Sequence, residues 1–155
     1  MIKSSLLILL MIMMSCSPPN ETTKEESIFV PETKQIETEV MSLINESRID
    51  EGLNSLLPNR DVKAEAYTHT IYMIDAGRVS HDNFLARRAS LIEIGATRVG
   101  ENVAFGYTNA ESVVIAWLNN EGHRDVTLGD YTHFEVVIEE DAEGNKYFTN
   151  IYIKL

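Results

Sequence analysis

The chain has a single cysteine, Cys16, so no intramolecular disulfide can form. Cys₄ and Cys₂His₂ metal sites are excluded for the same reason, and any metal must be held by imidazole, carboxylate, carbonyl or water. Positive charge is also scarce. Lys and Arg number 13 against 24 Asp and Glu, a formal net charge of −11 over 155 residues. A surface of that sign repels phosphate, which argues against nucleic acid as a partner and against a bare anionic membrane surface. The Gly-x-Ser-x-Gly elbow, the phosphate-binding glycine loop and His-Glu-x-x-His are all absent. Ser80 stands directly before His81, but neighbours in an extended loop point apart, a poor geometry for a nucleophile and its base.

What is present begins with an apolar run from Leu6 to Met14, preceded by Lys3 and followed by Ser15-Cys16. The run is too short for a stable anchor helix, which needs about 20 residues, and it reads as a secretory signal. A cysteine after a small residue at the end of such a run resembles a bacterial lipoprotein signal. That resemblance implies a signal peptide over 1–15, lipid modification of Cys16 and a membrane partner reached through that anchor. A cysteine so modified is not a nucleophile. Residues 16–34 are polar and proline-containing, and read as a flexible tether with a small apolar patch at Ile28-Phe29-Val30.

The domain is expected over 35–155, long enough for one real core. Ile36, Val40, Leu43 and Ile44 recur at helical spacing, with Gly52 as the stop. A second helix follows Pro58-Asn59, with Val62, Ala66, His69 and Met73 on one face. His69 is therefore read as a packed structural histidine. Asp82 is the expected cap of a third helix over 83–94, and Thr108 with Glu111 fits a capping box. That box opens an amphipathic helix carrying Val113, Val114, Trp117 and Leu118, with Trp117 assigned to the core. Asn119-Asn120-Glu121-Gly122 is expected to break it and present His123 in a loop. Phe134, Val136 and Ile138 alternate with Glu135, Val137 and Glu139. The turn 141–145 then leads to Tyr147, Thr149, Ile151 and Ile153, a terminal hairpin. Four helices with late strands make an α+β or layered α-β-α domain.

The stretch most suited to chemistry is Gly100-Glu101-Asn102-Val103-Ala104-Phe105-Gly106. Glu101 stands between glycines just before an apolar run, where a loop is expected to meet the core. A charge there needs a partner. His81 and His123 lie beside helix ends and fit no apolar stripe. Two imidazoles and a carboxylate can form a first or outer shell for a divalent ion. Their spacing alone is not diagnostic, and three unrelated residues remain the alternative.

Val79-Ser80-His81, Gly100-Glu101-Asn102-Val103-Ala104 and Trp117-Leu118-Asn119-Asn120-Glu121-Gly122-His123-Arg124 occur in that order. Together they resemble the CAP superfamily (cysteine-rich secretory proteins, antigen 5 and pathogenesis-related proteins), in its short bacterial branch. Thr132-His133-Phe134 and Tyr147-Phe148-Thr149-Asn150-Ile151 resemble that branch's closing hairpin. The resemblance implies a three-layer α-β-α sandwich with a small, mainly antiparallel sheet. It also implies a cleft lined by His81, His123 and Glu101, with Asn102 and Asn120 supporting it. In this family the histidines can hold a divalent metal, here most suitably zinc, at His81 and His123, with Glu101 behind them or acting as acid/base. The second glutamate of animal and plant members is replaced by Asn120, Glu121 being adjacent. Glu135 stands where this branch usually has glycine, on a strand expected near the cleft. His133 is read as structural, or else as part of the cleft rim.

Three functions stay open. A cell-envelope module, on the outer membrane or cell surface or else secreted, would bind a small ligand, lipid or envelope component in the cleft. A metal-dependent hydrolase would activate a water held by His81 and His123, with Glu101 orienting or deprotonating it. A structural or adhesive protein would use only its surface and tether. The missing second carboxylate favours the first.

Overall fold

A computed structural model describes residues 28–155. The expected signal peptide, Cys16 and most of the tether lie outside them. Eight elements run in the order α1 (Gln35–Asp50), α2 (Arg60–Asp75), α3 (Phe84–Glu93), β1 (Arg98–Phe105), α4 (Ala110–Asn119), α5 (Glu121–Thr127), β2 (His133–Glu140) and β3 (Lys146–Lys154). The strands form one antiparallel sheet in the order β1-β3-β2, an α+β fold with helices on both faces.

Strand alternation is what builds the layers. Phe134, Val136, Ile138, Phe148 and Tyr152 pack on one face with Val40 and Ile44 of α1 and Val113, Val114 and Trp117 of α4. Val137, Ile151 and Ile153 point to the other face, against Val62 and Ala66 of α2 and Leu91 of α3. Both faces of β2 and β3 are covered, so their strands are buried almost end to end, as a sheet between two helical layers requires.

Several local expectations are corrected. The third helix is not capped by Asp82. Asn83 occupies the cap position with φ +60° and makes no side-chain cap bond. The Asp82 carboxylate instead accepts from Tyr72 Oη at 2.9 Å and from Arg78. Asn109, not Thr108, caps α4, its Oδ1 accepting from the Ser112 N–H at 2.9 Å. Among the described residues there are five helices rather than four, because Asn120 ends α4 and at once caps α5. His123 therefore sits on the first turn of a short helix, not in a loop. Glu101 likewise sits mid-strand, opposite Ile151 of β3. Glycine and charge mimic a loop signal there, but each has a structural reason. A Cβ at Gly100 would lie 2.3 Å from the Tyr131 hydroxyl, so glycine is required by close packing.

Of the described residues before α1, the first pack on α2 and the last reach β2. The Phe29 ring is 5.2 Å from Tyr67. Lys34 reaches the Ile138 carbonyl and Glu139, and its backbone N–H donates to Glu37 at 2.9 Å. The other Glu37 oxygen accepts from the Ile138 N–H at 2.9 Å. Leu57 pairs with β2 further along, donating to the Thr132 carbonyl and accepting from the Phe134 N–H.

Candidate functional site

β1 carries Glu101 into the interior, where the residue is 6% exposed. Burying a carboxylate is tolerable only with strong compensation. α3 supplies it. Arg87 is itself buried and donates Nε to Glu101 Oε2 at 2.8 Å and Nη2 to Oε1 at 2.9 Å. This is the two-pronged geometry that suits guanidinium to carboxylate. The third arm of Arg87, Nη1, donates to the Asp82 carbonyl at 2.7 Å. One side chain thus holds both Glu101 and the loop that carries His81.

His81 Nδ1 lies 2.8 Å from Glu101 Oε1. A carboxylate held by guanidinium can only accept, so Nδ1 carries the proton and Nε2 is the ring nitrogen left for the cleft. His69 approaches the same oxygen from α2, its Nε2 3.9 Å away. That nitrogen donates to the Ser80 carbonyl at 2.8 Å, so His69 also braces the loop before His81. Burial pushes the His69 imidazole below its ordinary pKa, against the opposing pull of Glu101. The ring stays neutral, and packed as expected.

His123 comes from the opposite wall. Asn120 Oδ1 accepts from the His123 N–H at 3.1 Å, and Asn102 Nδ2 donates to the His123 carbonyl at 3.0 Å and to Thr127 Oγ1 at 2.9 Å. Both asparagines thus fix the first turn of α5. Burial, then the neighbouring His81, lowers the pKa of His123 and favours the neutral ring. Replacing Asn120 by alanine removes a helix cap worth about 1 kcal/mol. The expected result is faster amide exchange confined to α5, with the rest of the sheet unchanged.

His81 and His123 line one cleft of about 600 Å³. Its remaining wall is mostly apolar: Val79, Val103, Phe105, Tyr107, Ala116 and Trp117, with Asn120 as the other polar side chain. Trp117 is buried and donates Nε1 to the Val103 carbonyl at 3.2 Å. It is both core and cleft wall. Glu101 does not line this cleft; it reaches it only through His81. Glu121 is exposed. His133 bonds Thr132 through Nδ1 at 2.9 Å at the start of β2 and is not among the cleft residues. The strand bearing Glu135 is separated from β1 by β3, so the glycine-to-glutamate departure lies away from the cleft.

Sequence reasoning missed Arg87. The signal was there: Phe84, Arg87 and Leu91 fall at i, i+3 and i+7 on α3, and an arginine on the inward stripe of a helix implies a buried acid opposite it.

Fold and site together define a three-layer sandwich with a histidine-lined cleft backed by a buried glutamate. The chain belongs to the CAP family: the profile "CAP: Cysteine-rich secretory protein family" matches residues 41–152. It is 29% identical over 143 residues to the "Uncharacterized membrane protein YlbC" of Bacillus subtilis (strain 168), covering 86% of this chain and 40% of that relative. Among solved structures, an extracellular protein containing an SCP domain from Bacillus anthracis str. Ames superposes with a TM-score of 0.67 at 26% identity, covering 76% of this chain and 40% of that one. An outer surface protein from Borrelia burgdorferi shares the fold with a TM-score of 0.72 at 21% identity, over 80% of this chain and 96% of its own. The chain spans less than half the length of the first two. Among the described residues no helix is long and apolar enough to cross a membrane.

Proposed function

We propose that this protein is a cell-envelope binding module, attached through a lipid on Cys16, whose cleft takes a small ligand, lipid or envelope component. The observation that carries the reading is the state of Glu101. Both of its oxygens are occupied, by Arg87 and His81. The cleft is left with apolar walls, two imidazoles and one amide, and no carboxylate of its own. An apolar wall with a few convergent polar groups is the make-up of a ligand site. The names of the relatives, which describe a membrane protein, an extracellular protein and an outer surface protein, support an envelope location.

A hydrolase would need Glu101 free to take a proton from water. The Arg87 guanidinium and the His81 imidazole occupy both oxygens of that carboxylate, so the geometry gives this reading no support. A divalent cation does suit the donor set. The Nδ1–H of His81 is tied to a carboxylate, the arrangement that orients metal-binding histidines. His81 Nε2 and the His123 ring would hold the ion. Among the described residues no three His, Asp, Glu or Cys side chains come together for a metal, so the site is weak and largely water-coordinated. A bound zinc ion would act there as a Lewis acid toward a ligand oxygen.

Trp117 is the sole tryptophan and gives the test its reporter. The apolar fluorophore 1-anilinonaphthalene-8-sulfonate is expected to bind saturably with energy transfer from Trp117. Ala116→Phe, which fills the cleft without touching its polar groups, should abolish that transfer. Equal transfer in both proteins would refute cleft binding. In parallel, calorimetric Zn²⁺ titration should show saturable uptake that the His81→Ala/His123→Ala double variant loses.

A further inference from the structure

We propose that the open edge of β1 is a peptide site: an extended polypeptide adds there as a fourth strand, inside the cleft, paired with Val103 and Phe105. The proposal deepens the binding reading above and rests on it.

A three-stranded sheet has two edges, and this fold treats them differently. The β2 edge is pinned at both ends, with Val136 between the pins. Leu57 bonds it at Thr132 and Phe134, the Glu37 carboxylate takes the Ile138 N–H, and Lys34 takes the Ile138 carbonyl. Satisfying an edge in this way prevents stray pairing. Among the described residues, the β1 edge is met at one point only, by the Trp117 indole. Gly106 donates to the Lys146 carbonyl, one step beyond the β1–β3 ladder. With the register of that ladder, the even-numbered residues of β1 turn their backbone groups toward β3. Glu101, Val103 and Phe105 turn theirs outward. Of these groups, the Val103 carbonyl is taken by Trp117. Among the described residues, the Val103 N–H and both backbone groups of Phe105 have no partner.

The cleft lies where those groups point. Val103, Ala104 and Phe105 line it consecutively. Side chains alternate across a strand, and three residues in a row share this cavity because it reaches the strand's edge at the C-terminal end of β1. Val79 and His81 form one wall, Ala116, Trp117, Asn120 and His123 the other. An apolar molecule in this trough would leave the Val103 and Phe105 amides unpaired, which is unfavourable. A second extended backbone repeats its own donors and acceptors at the same spacing, about 7 Å for two residues, and satisfies them. Its side chains would alternate between the two walls. Because neither wall carries a fixed charge, small neutral residues are the ones accepted.

The probe is an acetylated, amidated pentapeptide of alternating valine and threonine, added to the full chain and followed by nitrogen-15 amide spectra. We expect saturable downfield shifts centred on the Val103 and Phe105 amides, with affinity in the millimolar range or tighter. Phe105→Pro removes the outward N–H at an edge position where proline is tolerated, and should weaken binding about tenfold or more. Phe105→Ala keeps the N–H and controls for the lost ring. The same peptide methylated on every amide nitrogen should not bind. Unmoved Val103 and Phe105 amides, or equal binding by the proline variant and the alanine control, would overturn the proposal. So would a concentration-dependent dimer that protects those amides without peptide, since a second copy would then be the occupant. If Trp117 still transfers energy to the anilinonaphthalene probe, the peptide proposal falls alone; if it does not, the binding reading falls with it.

Discussion

Arg87→Met is expected to destabilise the domain by about 3–5 kcal/mol, the usual result of removing one partner from a buried ion pair. Methionine keeps much of the aliphatic length and removes the charge, so packing alone does not account for the loss. Glu101 would be left 6% exposed with no cation against it. The Asp82 carbonyl would lose its bond to Nη1 at the same time, loosening the His81 loop. The measurement is the urea midpoint at constant slope. Its diagnostic partner is the Arg87→Met/Glu101→Leu double variant. Replacing both members of a buried pair by apolar residues is often close to neutral, so the double variant should recover much of the loss. Strict additivity of the two single effects would mean that the pair is not the unit of stability described here.

Glu135→Gln is expected to act in the opposite direction. Glu135 is buried on β2, facing α2. The Asn59 N–H donates to its Oε1 at 3.2 Å, while Oε2 has no partner among the described residues. Burial raises its pKa to about 7, with Lys63 opposing the shift and Glu37 adding to it. In the unfolded chain a glutamate titrates near 4.3. The folded protein therefore binds the proton more tightly than the unfolded one. That stabilisation is fully present below the unfolded pKa and is lost as pH rises through about 7. The loss amounts to about 3 kcal/mol by pH 8. Glutamine mimics the protonated acid, so the variant should match the parent near pH 4 and exceed it by up to that amount at pH 8. A stability difference independent of pH between 4 and 8 would contradict the assignment.

The sequence exposed the frame of this fold through features that act locally. Helical spacing and the glycine stops located α1 and α2, and alternation located the terminal hairpin. What it hid depends on partners distant along the chain. Glu101 looked like a loop residue because its compensation, Arg87, lies on another element, and because Gly100 answers to Tyr131 rather than to a turn. The Asn109 side chain decided a helix start that Thr108 seemed equally able to supply, and the Asn120 side chain opened a helix where the residues read as a loop. For the site, two histidines and a glutamate could be named from the sequence. That Glu101 backs the cleft instead of lining it follows only from where α3 aims its arginine.

The pinning of the β2 edge also has a mechanical side. Residues leading into α1 are clipped to the sheet at Ile138, through the Lys34 side chain and the Glu37 carboxylate. Tension arriving along the N-terminal segment is therefore delivered to the outer strand β2. The cleft borders β1, the outer strand on the far side of β3. Beyond those clips α1 is joined directly to α5, where the Arg48 guanidinium donates to the Thr127 carbonyl at 2.8 Å, so a load that opens Ile138 passes next to the helix that carries His123. The cleft is thereby coupled to a pull on the segment before α1, with the clips at Ile138 the first bonds in its path, as a fuse is.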